Sequence, residues 1–226
     1  MILALDTATP ATVVGVAATD GALLAHRRHD PAPGERPGHT AQLLALAHAA
    51  LTEAGGRWSD VTRIGAGVGP GTFTGIRIGV ATARALALGL DAETVALPTL
   101  HALALGAAAP GAQGNVLAIL DARRGEAFVA AYDAAGTQIL VPSAYGPDRL
   151  ATIPDLAPGP WTAAGDGAIR FRAELEAVGV TVGPDDAILH RVSAGPLCRL
   201  AAEAQPVSRD ALVPEYVRAP DAVPRR

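Results

Sequence analysis

Apolar residues come in short runs from the first position. Met1 to Leu5 is a strand-like run that stops at Asp6, Thr12 to Ala18 reads as a second strand, and Asp20-Gly21 turns the chain into a third, Ala22 to His29. The period then changes. After a Pro/Gly loop from Pro31 to Gly38, residues Thr40 to Ala54 place Leu43, Leu44, Ala47, Ala50, Leu51 and Ala54 on one helical face, closed by Gly55-Gly56. A strand (Ile64 to Val68), a long apolar helix (Thr74 to Leu90), a strand (Thr94 to Leu97) and a helix (Leu100 to Ala108) complete a first unit.

The chain then starts again. Val116 to Leu120 is an apolar run ending in Asp121, Ala127 to Tyr132 is a strand, and Ala135-Gly136 turns into Thr137 to Val141. Asp121 and Gly136 stand at the same separation as Asp6 and Gly21, with Leu120 over Leu5 and Val129 over Val14. A repeat that aligns strand, aspartate and turn together points to two similar α/β lobes. That is the actin-like ATPase (ASKHA, ribonuclease H-like) architecture. The expected division is an N-terminal lobe over 1–110 and a C-terminal lobe over 111–226, with a helix from Ala194 to Ala204 and a loosely ordered tail from Pro214 to Arg226.

Between the strand at Ile64 and the following helix, glycine recurs at Gly65, Gly67, Gly69, Gly71, Gly75 and Gly79. A glycine-rich turn before a helix can expose backbone N–H groups to an anion. The Walker spacing fails, because Gly71 and Gly75 enclose three residues and Ile76-Arg77 follow. The dinucleotide fingerprint fails too, with Thr72 and Thr74 where a third glycine belongs. On the helix, Gly71, Gly75, Gly79, Ala83 and Ala87 recur every fourth residue, a small-residue ridge for close packing within the domain or with a partner. Asp6 and Thr7, with Gly69, Gly71 and Thr72, form a weak candidate nucleotide or phosphate site. The alternative reading is that Asp6 and Thr7 only cap their turn.

Composition narrows the chemistry. Half of the 226 residues are apolar, enough for a sizeable core, and the net charge of −4 with no dense arginine run argues against tight nucleic-acid binding by the chain alone. All 18 basic residues are arginine, which removes lysine nucleophiles and Schiff bases. Cys198 is alone in a helical pattern and reads as a buried structural thiol. His39 and His48 lie nine residues apart, which is not metal-binding spacing, and His26, His29, His101 and His190 are scattered, so no metal or catalytic residue is assigned. Asp121 with Arg123, Arg124 and Glu126 is the densest charged cluster and reads as a salt-bridged turn. The N-terminus enters a strand with no basic stretch before it, and the apolar runs are interrupted. The expectation is a cytoplasmic protein with neither signal peptide nor membrane span.

Four segments then carry a resemblance in order: Ile2-Leu-Ala-Leu-Asp-Thr-Ala-Thr9, Gly69-Pro-Gly-Thr-Phe-Thr-Gly-Ile-Arg-Ile-Gly79, Leu120-Asp-Ala-Arg-Arg-Gly-Glu126 and Pro214-Glu-Tyr-Val-Arg218. Together they resemble the TsaB (YeaZ) family, the second segment being the most specific. The resemblance implies a non-catalytic subunit of the bacterial machinery that makes N6-threonylcarbamoyladenosine in tRNA. It implies a TsaD-type transferase and a TsaE-type ATPase as partners, a homodimer when alone, and indirect or weak contact with tRNA. No cofactor is expected for the isolated chain, with ATP and magnesium only within the complex. The family contact maps onto the two N-terminal-lobe helices, and the candidate interface residues are Leu43, Leu44, Ala47, Leu51, Gly75, Gly79 and Ala83. A stand-alone actin-like ATPase or kinase is the alternative; it would need a glycine in the first phosphate turn, where Ala8 stands.

Overall fold

The computed structural model describes residues 1–108 and 114–218. The first sheet is built from β1 (Ile2–Asp6), β2 (Thr12–Ala17) and β3 (Leu23–His29). After the helix α1 (His39–Glu53) come β4 (Arg63–Gly69), α2 (Phe73–Leu90), β5 (Glu93–Pro98) and α3 (Thr99–Ala107). Its strand order is β3-β2-β1-β4-β5, with β1–β2 and β2–β3 antiparallel and β1–β4 and β4–β5 parallel.

The second sheet repeats this plan. It contains β6 (Asn115–Arg123), β7 (Glu126–Tyr132) and β8 (Gln138–Tyr145), then the short α4 (Pro147–Leu150), β9 (Trp161–Ala164), α5 (Asp166–Arg170), α6 (Arg172–Ala177) and β10 (Val180–Val182). The order β10-β9-β6-β7-β8 carries the same antiparallel and parallel pairings, so β6 to β10 copy β1 to β5 one for one. The two-lobe α/β actin-like fold read from the repeat is therefore the fold of the chain. The copies differ at the first hairpin: Leu5 faces Val14, whereas Leu120 faces Phe128 and the register shifts between Asp121 and Arg123.

Burial follows from which surfaces each element covers. β1 is central and buried along its whole length, so it needs an unbroken apolar run rather than alternation. On one side of the first sheet, Leu43, Ala47, Ala50 and Leu51 of α1 and Ile76, Val80, Ala83 and Ala87 of α2 complete a core with Leu3, Leu5 and Ile64. A second core lies between the sheets, where α3 contributes Leu100 and Leu103 against Ile2, Leu97, Ala118 and Phe128. A third backs the far side of the second sheet, with Phe171 and Leu175 against Leu117 and Val129. By length and composition α2 could cross a membrane, but six of its residues, Gly75 to Ala87, are buried against the sheet.

The chain does not stay in the second lobe to its end, as the expected division at 110 had it. The last helix, α7 (Ala194–Glu203), joins the core between the sheets through Leu197, Cys198 and Ala201. A side chain at Gly15 on β2 would meet Cys198 Sγ at 2.6 Å. Beyond it, Val207 N–H donates to the Thr94 carbonyl at 2.8 Å and Leu212 enters the core under α1 and α2. The segment 214–218, expected to be loose, is tied down: Glu215 N–H donates to the Val68 carbonyl at 2.8 Å. The remainder of that expected tail lies outside the described residues.

Candidate functional site

The glycine run is the track on which the β1–β2 turn rests. A Cβ on Gly71 would run into the Ala8 carbonyl and one on Gly75 into the Thr7 carbonyl, backbone atoms that cannot move aside. Gly67 and Gly79 face the Asp6 carboxylate and the Thr7 hydroxyl in the same way. Hydrogen bonds then lock turn to track. Thr7 Oγ1 donates to the Gly75 carbonyl at 2.7 Å, and Thr72 N–H donates to the Ala8 carbonyl at 2.7 Å.

Asp6 is fully buried, where its carboxylate accepts from Ala8 N–H at 2.8 Å and from Thr99 Oγ1 at 2.8 Å. Burial outweighs those bonds and pushes its carboxyl up to about 6. The weak phosphate site is thus corrected at Asp6 and Thr7. Both side chains point into protein, and the backbone space a phosphate would need against Gly71 is occupied by Ala8. Gly69 is also buried; Gly71 and Thr72 remain at the surface of a cleft.

That cleft lies between the lobes, with a volume of about 420 Å³, bordered by Thr9, Thr72, Phe73, Asp121, Arg123 and Tyr216. The Asp121 carboxylate is its most connected group. It accepts from Arg123 N–H at 2.8 Å, from the Arg123 guanidinium at 3.2 Å and from Arg170 at 3.0 Å. Asp166 accepts the Asp121 N–H at 3.0 Å, and its burial raises its carboxyl above the ordinary range. The charged cluster at the β6–β7 turn is thus a salt-bridged turn at the cleft mouth. Arg123 and Arg124 both hold positive φ there (63° and 56°), ahead of Gly125. On the opposite lip Phe73 and Tyr216 stack with centroids 5.4 Å apart, and Arg77 lies 3.7 Å over Phe73 while donating to Tyr216 Oη at 2.7 Å.

The candidate interface divides sharply. Leu43, Ala47, Leu51, Gly75, Gly79 and Ala83 are buried within the first lobe, so the small-residue ridge serves internal packing and is not available to a partner. Leu44 alone of that set faces outward, 51% exposed. The groove beside it is lined by Ala45 and His48 of α1 and by Ala85, Leu86, Gly89 and Leu90 of α2, and Leu88 on α2 is 67% exposed. Trp58 borders the same open groove, its ring stacked 6.5 Å from His48. Sequence reasoning missed Leu88. The available signal was a second apolar stripe on each helix, rotated from the buried one.

Cys198 is buried with its thiol pushed up to about 12 by desolvation, which leaves it protonated and inert. Among the described residues, no group of three or more His, Cys, Asp or Glu side chains is placed to hold a metal ion.

Residues 35–171 match the family model described as TsaD: tRNA N6-adenosine threonylcarbamoyltransferase. Over nearly its full length the chain superposes on YeaZ from Pseudomonas aeruginosa, with a TM-score of 0.75, 30% identity and coverage of 95% of this chain and 98% of that one. It belongs to the TsaB (YeaZ) family. The tRNA threonylcarbamoyladenosine biosynthesis protein TsaB of Escherichia coli is 40% identical over 131 residues, 58% of this chain and 54% of that protein. The chain therefore aligns with about half the length of such curated relatives. A polyphosphate/ATP-glucomannokinase from Arthrobacter, at 15% identity and a TM-score of 0.50 over 89% of this chain and 97% of that one, shares the fold alone.

Proposed function

We propose that this TsaB-family chain is a non-catalytic, cytoplasmic subunit of the complex that makes N6-threonylcarbamoyladenosine in tRNA. It works by docking its α1–α2 face on a TsaD-type transferase, with a TsaE-type ATPase joining the assembly. When alone, it closes the same face against a second copy. It takes no cofactor of its own, ATP and magnesium entering with the partners, and its contact with tRNA is indirect. The observation that carries this reading is the open groove between two adjacent helices, edged by Leu44, Ala45 and His48 of α1 and by Ala85, Leu86 and Gly89 of α2, with Leu44 and Leu88 both exposed. Small residues there allow close helix approach, and an exposed apolar patch of this kind is the ordinary mark of a protein contact. The stand-alone ATPase alternative is disfavoured by the inward-facing Asp6 and Thr7.

The test is co-expression with a TsaD-type and a TsaE-type subunit and a threonylcarbamoyl transfer assay. Transfer is expected to depend on this chain, while the chain alone turns over neither ATP nor tRNA. In Leu44→Asp/Leu88→Arg, both positions being exposed, thermal stability should stay near that of the parent while affinity for the transferase falls at least about tenfold. Unchanged co-purification by the folded variant would remove the helix face from the reading.

A further inference from the structure

Among the described residues, two buried side-chain nitrogens have no hydrogen-bond partner: His29 Nδ1 and His39 Nε2. They belong to one cluster. Thr12 on β2 is the direct cross-strand partner of His29 on β3, so the two side chains leave the same face of the sheet side by side. The Thr12 hydroxyl lies 2.8 Å from His39 Nδ1, at the first residue of α1. The edge of the His29 ring rests against Gly38, the residue just before His39: a Cβ there would stand 3.6 Å from Cε1 and 4.0 Å from Nδ1 of His29. Two imidazoles thus flank one threonine where β2, β3 and the start of α1 meet.

Buried polar atoms are nearly always paired, so two orphans in one cluster ask for a common partner. The groups offered are imidazole nitrogens, one of them with its other nitrogen held by a hydroxyl. That is how proteins orient a metal-binding histidine. Imidazole favours the borderline divalent ions, zinc, nickel and copper, over magnesium or calcium, which prefer oxygen. The neighbouring charges leave room for a cation. Arg28 alternates to the opposite face of β3 and is tied to Asp30 and the Val192 carbonyl. Asp30 is held in that bidentate pair. The loop from 32 to 37, which leads into the start of α1, is exposed.

We infer that His29 Nδ1 and His39 Nε2 form a two-histidine site for a zinc-class divalent cation, with Thr12 positioning His39. Sequence spacing hid it, because its ligands come from a strand and from a helix start across the loop. A cation held there ties the start of α1 to the sheet edge. With only two protein ligands, affinity belongs in the micromolar range.

The experiment uses the untagged, chelator-washed chain. Titration calorimetry with Zn²⁺ should show one equivalent bound, and Co²⁺ should give the visible absorption bands of nitrogen coordination. His29→Gln, at a half-buried position that leaves the core intact, should weaken Zn²⁺ at least tenfold, and Thr12→Val about 10–100-fold. His26→Gln, an exposed position on the same strand, should leave binding unchanged. Because His39 is buried and its loss threatens folding, the decision rests on His29 and Thr12. Zn²⁺ binding equal in the parent and in His29→Gln, or absent from both, overturns the assignment.

Discussion

Asp6 is a carboxyl group without water, held by one backbone N–H and one threonine hydroxyl in a fully buried position. Its folded value of about 6 lies above the unfolded value of 3.8, so the native state binds the proton more tightly. Its contribution to stability is therefore complete below about pH 4 and is lost as pH rises through about 6, a swing of up to about 3 kcal/mol. Asp6→Asn keeps the shape and an acceptor for Ala8 N–H while removing the charge. Denaturant titrations should show the variant more stable than the parent by about 1–3 kcal/mol above pH 7, the gap closing near pH 4. A deficit equal at both pH values would mean that hydrogen-bond geometry, not buried charge, governs the site. The sequence made Asp6 conspicuous at the end of the first strand. Its burial depends on Thr99 and Gly67, distant residues that one strand pattern cannot place beside it.

At the scale of elements, the spacing of Gly71, Gly75, Gly79, Ala83 and Ala87 was legible as a ridge for close approach, but not what approaches it. Periodicity gives a face and no partner, and here the glycines of the ridge meet Thr7 and Ala8 of the same lobe while Ala83 and Ala87 join its core. The ambiguity at Leu43-Leu44 is similar: adjacent leucines lie about 100° apart on a helix, and only packing decides that the first is core and the second surface. Strands of three or four residues such as β9 and β10, and helices of five or six such as α5 and α6, are too short to show a period at all. The internal ridge has a testable sign. Helix propensity alone makes Gly75→Ala stabilising by up to about 1 kcal/mol. The clash with the Thr7 carbonyl instead predicts a loss of about 1–3 kcal/mol, measured by thermal denaturation of the isolated chain. A stabilised variant would return the ridge to the surface and to partner binding.

On the scale of the whole molecule, the repeat of aspartate and turn glycine revealed two lobes because duplication preserves spacing. It could not reveal what ties the lobes across the rim of the cleft, since that depends on single residues brought back from late in the chain. Glu215 N–H bonds the Val68 carbonyl, Tyr216 stacks on Phe73 and receives Arg77, and then Arg218 pairs with Glu126 at 2.9 Å and stands 5.8 Å over Phe128. Four consecutive residues thus cross from the first lobe to the second along the rim of the cleft. Each side-chain contact is partly exposed, so none adds much to global stability; an ion pair of this kind contributes about 0–1 kcal/mol. Their shared consequence is to hold the lobes at one opening. Tyr216→Ala/Arg218→Ala should leave the global melting temperature within a few degrees while lowering the local opening free energy at the cleft by about 1 kcal/mol. That corresponds to roughly fivefold faster amide exchange in segments 70–76 and 121–128. The central strands β1 and β6, each buried between neighbours, should exchange as before. Acceleration spread evenly over both lobes would make these contacts part of the fold's general stability; confined to the cleft, it marks the C-terminal segment as the strap that sets the angle between the lobes.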